Sequence, residues 1–210
     1  RHVAWPAPEP AIHQAAMAAQ RADNPAAERA LRMQLAHYPN DPLALRLLAE
    51  LLSGDGRFEE AADLLRRCLE RAPSFALARY GLAMVLFHDH QLAPAIEQLN
   101  LLLKSEPRRL EYLNLRAEAL ARAGDFDAAA ACLEALLAAH PNEAMAWASY
   151  GHILRALGRR ADCERAYRRA ISVRPQAGEA YWGLANLKTF AFAPSDIAAM
   201  QSHLADVAQG

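Results

Sequence analysis

Cysteines, long apolar runs and an excess of charge of one sign are scarce or missing in this sequence. Only three cysteines occur, and no pair has the spacing of a disulfide framework or a metal site. No run of about 18 apolar residues is present, so no transmembrane span is predicted. The net charge is −1, which argues against nucleic-acid binding through a general basic field. We therefore expect no metal, membrane or nucleic-acid partner, and reduced thiols in a compartment such as the cytoplasm.

Motifs that carry catalysis are missing as well. The sequence contains no phosphate-binding loop, no dinucleotide-binding glycine pattern and no Gly-x-Ser-x-Gly motif. The run His88-Asp89-His90 looks like a metal motif, but residues two apart on a helix point in different directions and no third ligand is apparent. These absences predict that residues 1–210 are not an enzyme and use no cofactor.

What the sequence does contain is a repeat of fixed length. Five prolines, each 34 residues from the next, mark it: Pro39, Pro73, Pro107, Pro141 and Pro175. With proline at position 32, the units cover residues 8–41, 42–75, 76–109, 110–143 and 144–177, and a partial unit begins at 178. Because proline lacks the N–H of the helix ladder, each proline is expected to close its unit.

Small residues recur at two positions of the unit. Position 8 holds Ala15, Ala49, Ala83, Ala117, Gly151 and Ala185, and position 20 holds Ala27, Ala61, Ala95, Ala129 and Cys163. Small side chains there let the two helices of a unit cross closely, while larger ones at positions 4, 7, 11 and 24 fill the surrounding space. The predicted helices lie near residues 9–21, 25–37, 43–54, 59–71, 77–88, 93–105 and 179–190.

A few residues depart from the pattern without changing its phase. Ala11, Gln14 and Ala18 replace bulky residues in the first helix, as is common in terminal repeats. Arg116 occupies position 7 of its unit, and His90 stands where glycine is usual in the turn between two helices.

The 34-residue period and this residue pattern resemble the tetratricopeptide repeat family over residues 8 to about 190. The resemblance implies an all-α, right-handed superhelical solenoid of antiparallel helix pairs. It divides the chain into an extended segment at 1–8, five repeats within 9–177, and a partial sixth repeat with a capping or linker helix at 178–210. It also implies a scaffold that binds a peptide or a partner helix, whose identity the sequence does not give.

In that family the first helix of each pair lines a concave groove, and positions 2, 5, 9, 12 and 13 commonly face the ligand. The residues that this implies for partner binding are Arg46, Tyr80, Met84, Phe87, Asn114, Glu118, His152, Arg155, Trp182 and Asn186. Tyr80 and Phe87 are the expected aromatic anchor. Packing of Met84 and Phe87 against the neighbouring repeat is the alternative.

The carboxylate clamp, by which some members of the family grip acidic C-termini, is not predicted. Arg46 matches one clamp position, but Glu50 and Gly81 stand where asparagines are expected. A second carboxylate at a carboxylate-binding site is repulsive.

Charge differs between neighbouring repeats. Repeat 110–143 has six acidic and two basic residues, whereas repeat 144–177 has seven arginines against Asp162 and Glu164. A solvated face explains the arginines Arg165, Arg168 and Arg169 most simply. Binding of an acidic partner and head-to-tail self-association are the alternatives.

The segment at residues 180–204 departs from the repeat. Ser195 or Asp196 is expected to cap a last helix with Ile197, Met200, Leu204 and Val207 along one stripe. The stretch YWGLANLKTF also resembles the junction in bacterial tetratricopeptide–sulfotransferase fusion proteins. That resemblance implies an alternative function, in which these residues are the non-catalytic N-terminal region of a sulfotransferase whose catalytic domain lies beyond residue 210.

Overall fold

The computed structural model of the chain describes residue 17, residues 23–187 and residues 190–208. Within these residues the chain forms eleven α-helices and no strand, which confirms the all-α prediction. The helices are α1 (Asn24–His37), α2 (Pro42–Gly54), α3 (Phe58–Arg71), α4 (Ala76–His88), α5 (Leu92–Ser105), α6 (Leu110–Arg122), α7 (Phe126–Ala139), α8 (Ala144–Ala156), α9 (Arg160–Val173), α10 (Gly178–Ala185) and α11 (Pro194–Ala208). The segment 1–8 and, except for Met17, the predicted helix at 9–21 with its departures lie outside the described residues.

The chain divides into two compact units, Arg1–Ser105 and Glu106–Gly210. In the first unit α1 packs on α2, α2 on α3, α3 on α4 and α4 on α5. In the second unit α6 packs on α7, α7 on α8 and α8 on α9, while α10 contacts both α8 and α9. Each helix therefore buries its apolar stripe against neighbours that are close in sequence, as repeat proteins do.

The turns between paired helices share one backbone conformation. Gly56, His90, Gly124 and Gly158, which are 34 residues apart, all have positive φ. At each turn the N–H of the following residue donates to a carbonyl five residues earlier, at 2.8–3.0 Å. This is the Schellman arrangement, which satisfies carbonyls at the helix end and requires a left-handed residue. His90 adopts that conformation with φ +61° despite its side chain.

The core of each unit is built from the recurrent small residues and a column of leucines. The small residues at positions 8 and 20 are buried in the four full repeats from residue 42 to residue 177, whereas Ala185 of the partial sixth repeat is exposed. Position 24, four residues after position 20 on the second helix, holds Leu65, Leu99, Leu133 and Tyr167, and all four are buried. Burial of each leucine contributes about 1.5–3 kcal/mol relative to leaving it exposed. Tyr167 is the exception in this column, and it organises the site described below.

The three thiols are free and buried. Cys68 Sγ lies 3.3 Å from the carbonyl oxygen of Pro42, and Cys132 Sγ lies 3.4 Å from that of Leu113. Burial raises the pKa of the Cys68 thiol to about 11. Such thiols remain protonated and act as small packing groups.

The end of the last repeat differs from the prediction. Helix α10 stops at Ala185 instead of continuing to residue 190. The chain turns there because Leu187 becomes buried and Phe190 and Phe192 pack on the cluster around Tyr167. Burial of these side chains removes apolar surface from water, which favours the turn.

Helix α11 begins earlier than predicted, because Pro194 occupies its first turn, where no N–H is needed. Asp196 is therefore inside the first turn and not the N-cap, and its carboxylate accepts the N–H of Ala193 at 3.0 Å. The side chains of Leu204 and Val207, in the predicted stripe, lie outside the described residues. No helix among those described is long and apolar enough to cross a membrane.

Candidate functional site

The site in the second unit is built on the buried ring of Tyr167, which is 0% exposed. Gly151 of α8 and Gly183 of α10 both lie against the Cε1–Cζ edge of this ring. A Cβ atom on Gly151 would lie 2.5 Å from Cε1 of Tyr167, and a Cβ atom on Gly183 would lie 2.5 Å from Cζ. Real Cβ contacts are not that short, so only glycine fits at both positions while the tyrosine keeps its place.

The comparison with an earlier repeat shows that the tyrosine, and not the backbone, creates this demand. Gly81 and Leu65 are separated by the same sequence distance as Gly183 and Tyr167. A Cβ atom on Gly81 would lie 3.5 Å from Cδ2 of Leu65, which is an ordinary van der Waals contact. The larger ring at position 24 therefore accounts for the closer approach.

A chain of hydrogen bonds leads from the buried hydroxyl to the surface. The Tyr167 hydroxyl lies 2.8 Å from Nδ1 of His152, and Nε2 of His152 lies 3.1 Å from Oε1 of Glu179. Burial raises the pKa of Tyr167, so its hydroxyl stays protonated and can donate to Nδ1 of His152. The network then assigns the proton to Nε2, which donates to the Glu179 carboxylate.

An exposed tryptophan completes the site. Trp182 of α10 is 60% exposed, and its ring is edge-on to His152 with the centroids 6.5 Å apart. Glu179, Trp182 and Asn186 occupy positions i, i+3 and i+7 of this segment and so follow one stripe, and the Asn186 amide donates to the Trp182 carbonyl at 2.8 Å. We call His152, Glu179 and Trp182 the His152 cluster.

The remaining residues predicted for this unit are exposed. Asn114 and Glu118 lie on α6, and Arg155 lies one turn beyond His152 on α8. Neither Glu118 nor Arg155 has a side-chain ion pair with another described residue of the unit. The structure thus brings His152 and Trp182 into contact, and it leaves the other three as exposed polar groups on the first helices of their pairs.

Two residues of the site were missed at the sequence level. Glu179 occupies position 2, one of the ligand-facing positions, so its place in the repeat was sufficient to predict it as a partner-binding residue. Tyr167 lies on the second helix of its pair, where no ligand contact is expected. Its role depends on the presence of a tyrosine together with Gly151 and Gly183. All three residues can be read from the sequence, but the repeat pattern does not indicate that they meet.

In the first unit, the predicted residues have different surroundings. Phe87 is only 4% exposed, which favours the alternative of packing in the core over a role as aromatic anchor. Its aromatic edge meets the ring of His88, with centroids 5.5 Å apart. Tyr80 is half-buried and Met84 is partly exposed. Arg46 donates to Glu50 at 2.8 Å, which occupies the guanidinium that a carboxylate clamp would use.

The histidine run and the arginine-rich helix have structural contacts. His88 stacks on Phe58 with centroids 6.0 Å apart, and no group of three or more metal-ligating side chains occurs in the described part of the chain. Arg168 of α9 donates to Asp196 at 2.6 Å and lies over the Phe190 ring. This arginine therefore fastens α11 to the last repeat.

Comparison with protein families identifies the repeats. Two family models, both described as tetratricopeptide repeat, match the chain, one at residues 52–119 and the other at residues 14–74, 114–162 and 151–187. Among curated protein sequences, none matches significantly.

Several solved structures share the fold. MamA from Desulfovibrio magneticus RS-1 (residues 41 to the end) has a TM-score of 0.75 at 17% identity, with 81% of this chain and 99% of that chain covered. Another MamA crystal structure has a TM-score of 0.74 at 19% identity, covering 79% and 96%. YrrB, described as a TPR protein with an unusual peptide-binding site, has a TM-score of 0.73 at 19% identity, covering 84% and 91%. On the strength of the family-model matches, the chain belongs to the tetratricopeptide repeat family.

Proposed function

We propose that this chain is a non-catalytic interaction module that binds a peptide or a partner helix on the face formed by α8 and α10. The observation that carries the proposal is the exposed Trp182 beside an ordered His152–Glu179 pair. Exposed aromatic rings surrounded by oriented polar groups are the usual anchors of protein interfaces.

The support beneath the tryptophan strengthens this interpretation. An ordinary solvated surface does not need a fully buried tyrosine hydroxyl to hold a histidine ring in one orientation. Here Tyr167 occupies Nδ1 of His152, and the cost is two glycines in helix interiors, each worth about 0.5–1 kcal/mol against alanine. Rigid, preorganised side chains lose less entropy when a partner binds.

The other predicted positions extend the same proposal. Asn114, Glu118 and Arg155 are proposed as further contact residues of the second unit. Arg46, Tyr80 and Met84 are proposed as contact residues of the first unit, taken by itself. The peptide-binding site named for YrrB supports a peptide ligand by analogy of fold. The net charge of −1 favours a protein partner over a nucleic acid, and the free buried thiols suit a reducing compartment such as the cytoplasm.

Selection from a displayed library of random 12-residue peptides tests the function directly. A selected peptide should bind Trp182→Ala about 30-fold more weakly, because a hot-spot side chain contributes about 2 kcal/mol. Ile197→Ala, which removes an exposed apolar side chain on α11, is the matched control and should bind normally. Failure to select any peptide, or equal loss in both variants, contradicts the proposal.

The sulfotransferase alternative is favoured by one observation, the YWGLANLKTF stretch at residues 181–190. In that case the repeats serve recognition for a catalytic domain beyond residue 210. An immunoblot of the source cells against this fragment decides between the two. A band much heavier than 23.0 kDa, whose extension contains a phosphate-binding loop, supports the fusion enzyme, and a band near 23.0 kDa supports a free-standing adaptor.

A further inference from the structure

We propose that the His152 cluster receives an arginine or lysine side chain of the bound segment. This inference rests on the proposed function, since it names the chemistry that the α8–α10 face recognises. The argument uses the hydrogen-bond acceptors, the position of the indole ring and the charges around them.

The acceptors of the cluster are only partly used. Glu179 receives one hydrogen bond, from Nε2 of His152 to its Oε1, and its side chain is 47% exposed. No described residue donates to its second oxygen, and none of the described arginines and lysines forms an ion pair with it. Both ring nitrogens of His152 are already engaged, one with Tyr167 and one with Glu179. The polar group left for a ligand is therefore a carboxylate oxygen, which accepts hydrogen bonds and attracts a cation.

The indole lies where it can complete a cation site. Trp182 follows Glu179 by three residues on α10, so the two side chains are neighbours on one face of the helix. The rings of His152 and Trp182 are inclined to each other at 61°, and Trp182 remains 60% exposed. A guanidinium or ammonium group over the indole is attracted by the ring, and the same group can reach the carboxylate.

The charges of the cluster disfavour the opposite ligand. An acidic side chain placed beside Trp182 would meet the negative charge of Glu179, and two carboxylates repel each other. Arg155 lies one turn away from His152 on α8 and is exposed. A segment with a basic residue at the indole and a neutral or acidic residue towards Arg155 is therefore the complementary partner.

Peptides selected from the same random 12-residue library provide the test. We expect the selected sequences to share a basic residue. Replacing an arginine at that position with citrulline, which keeps the shape but removes the charge, should weaken binding about tenfold to the wild-type chain. The same replacement should cost less than about twofold with Glu179→Gln, whose charge is removed at constant size.

Controls separate this inference from the function on which it rests. Glu164→Gln, which removes a carboxylate on α9 outside the cluster, should keep the tenfold citrulline effect, and circular dichroism checks that both variants are folded. Raising salt should weaken wild-type binding more than binding by Glu179→Gln. If no peptide is selected, the function and this inference both fail. If peptides bind without a shared basic residue, with an acidic one, or with an unchanged citrulline effect in Glu179→Gln, only this inference is overturned.

Discussion

The close contact between Gly151 and Tyr167 makes a sharp prediction about stability. All four earlier repeats combine alanine at position 8 with leucine at position 24, whereas the last full repeat combines glycine with tyrosine. We therefore expect Gly151→Ala to be unfavourable with Tyr167 present and favourable with Tyr167→Leu. The change in the free energy of unfolding caused by the added methyl group should therefore have opposite signs with tyrosine and with leucine at residue 167.

The magnitude follows from two opposing contributions. The added Cβ would lie 2.5 Å from the ring, and a Cβ on Gly183 would lie equally close to the same ring, so helices on two sides in sequence pack tightly against it. Overpacking of this kind costs about 1–3 kcal/mol, while replacing glycine by alanine inside a helix returns about 0.5–1 kcal/mol. Gly151→Ala should thus destabilise the wild type by about 1–2 kcal/mol and stabilise Tyr167→Leu by about 0.5–1 kcal/mol.

Urea unfolding followed by circular dichroism and tryptophan fluorescence measures all four members of this cycle. The interaction free energy should be about 1–3 kcal/mol. Gly81→Ala, at a helical glycine with an ordinary 3.5 Å contact to Leu65, is the control and should be neutral or slightly stabilising. An equal effect of Gly151→Ala in both backgrounds would show that the ring does not require the glycine.

Three further predictions concern other parts of the chain. Gly54→Ala should raise the free energy of unfolding in urea and Gly56→Ala should lower it, each by about 1 kcal/mol, because both sites are open but only Gly56 has positive φ, +77°. Equal effects of the two substitutions would contradict this. The free energy of unfolding should fall by about 1–2 kcal/mol between pH 9 and 11, and it should fall less in Cys68→Ala. The reason is that the folded Cys68 thiol has a pKa raised to about 11 and stays protonated after the unfolded thiol ionises. An identical pH profile in the variant would show that Cys68 does not cause the fall. Asp196→Asn should lower the hydrogen-exchange protection factors of α11 about tenfold at pH 7. The protection factors of the wild type should approach those of the variant on acidification, because the hydrogen bond from Arg168 lowers the pKa of Asp196 and its stabilisation is lost as pH falls through the folded pKa. Protection of α11 that is unchanged in the variant would count against this docking contact.

The sequence predicted the helices closely because each repeat marks its own ends. The predicted helix at 43–54 is observed as Pro42–Gly54, and that at 59–71 as Phe58–Arg71. Proline, the left-handed turn residue and the small-residue positions all act locally and recur with the same phase. The end of α10 was predicted wrongly because it depends on where Leu187, Phe190 and Phe192 pack, which is a tertiary contact that no local signal specifies.

The candidate site could be predicted only in part. Position 12 holds both Phe87 and Arg155, yet the first is buried and the second is exposed. A repeat position specifies the direction in which a side chain leaves the helix axis, and the neighbouring side chains determine how exposed that side chain is. The support of His152 by Tyr167 involves α8, α9 and α10 together, so it appears only when three helices are placed.

The most direct test of the account is to follow the indole N–H signals of the tryptophans by NMR while a selected peptide is added. Trp147 is a built-in control, because its indole N–H is held by the Pro141 carbonyl at 2.9 Å and it packs against the core of the last repeat. The account predicts that the Trp182 signal shifts in proportion to bound peptide while the Trp147 signal moves little. A peptide that binds with the Trp182 signal unchanged would show that the partner site lies elsewhere on the chain.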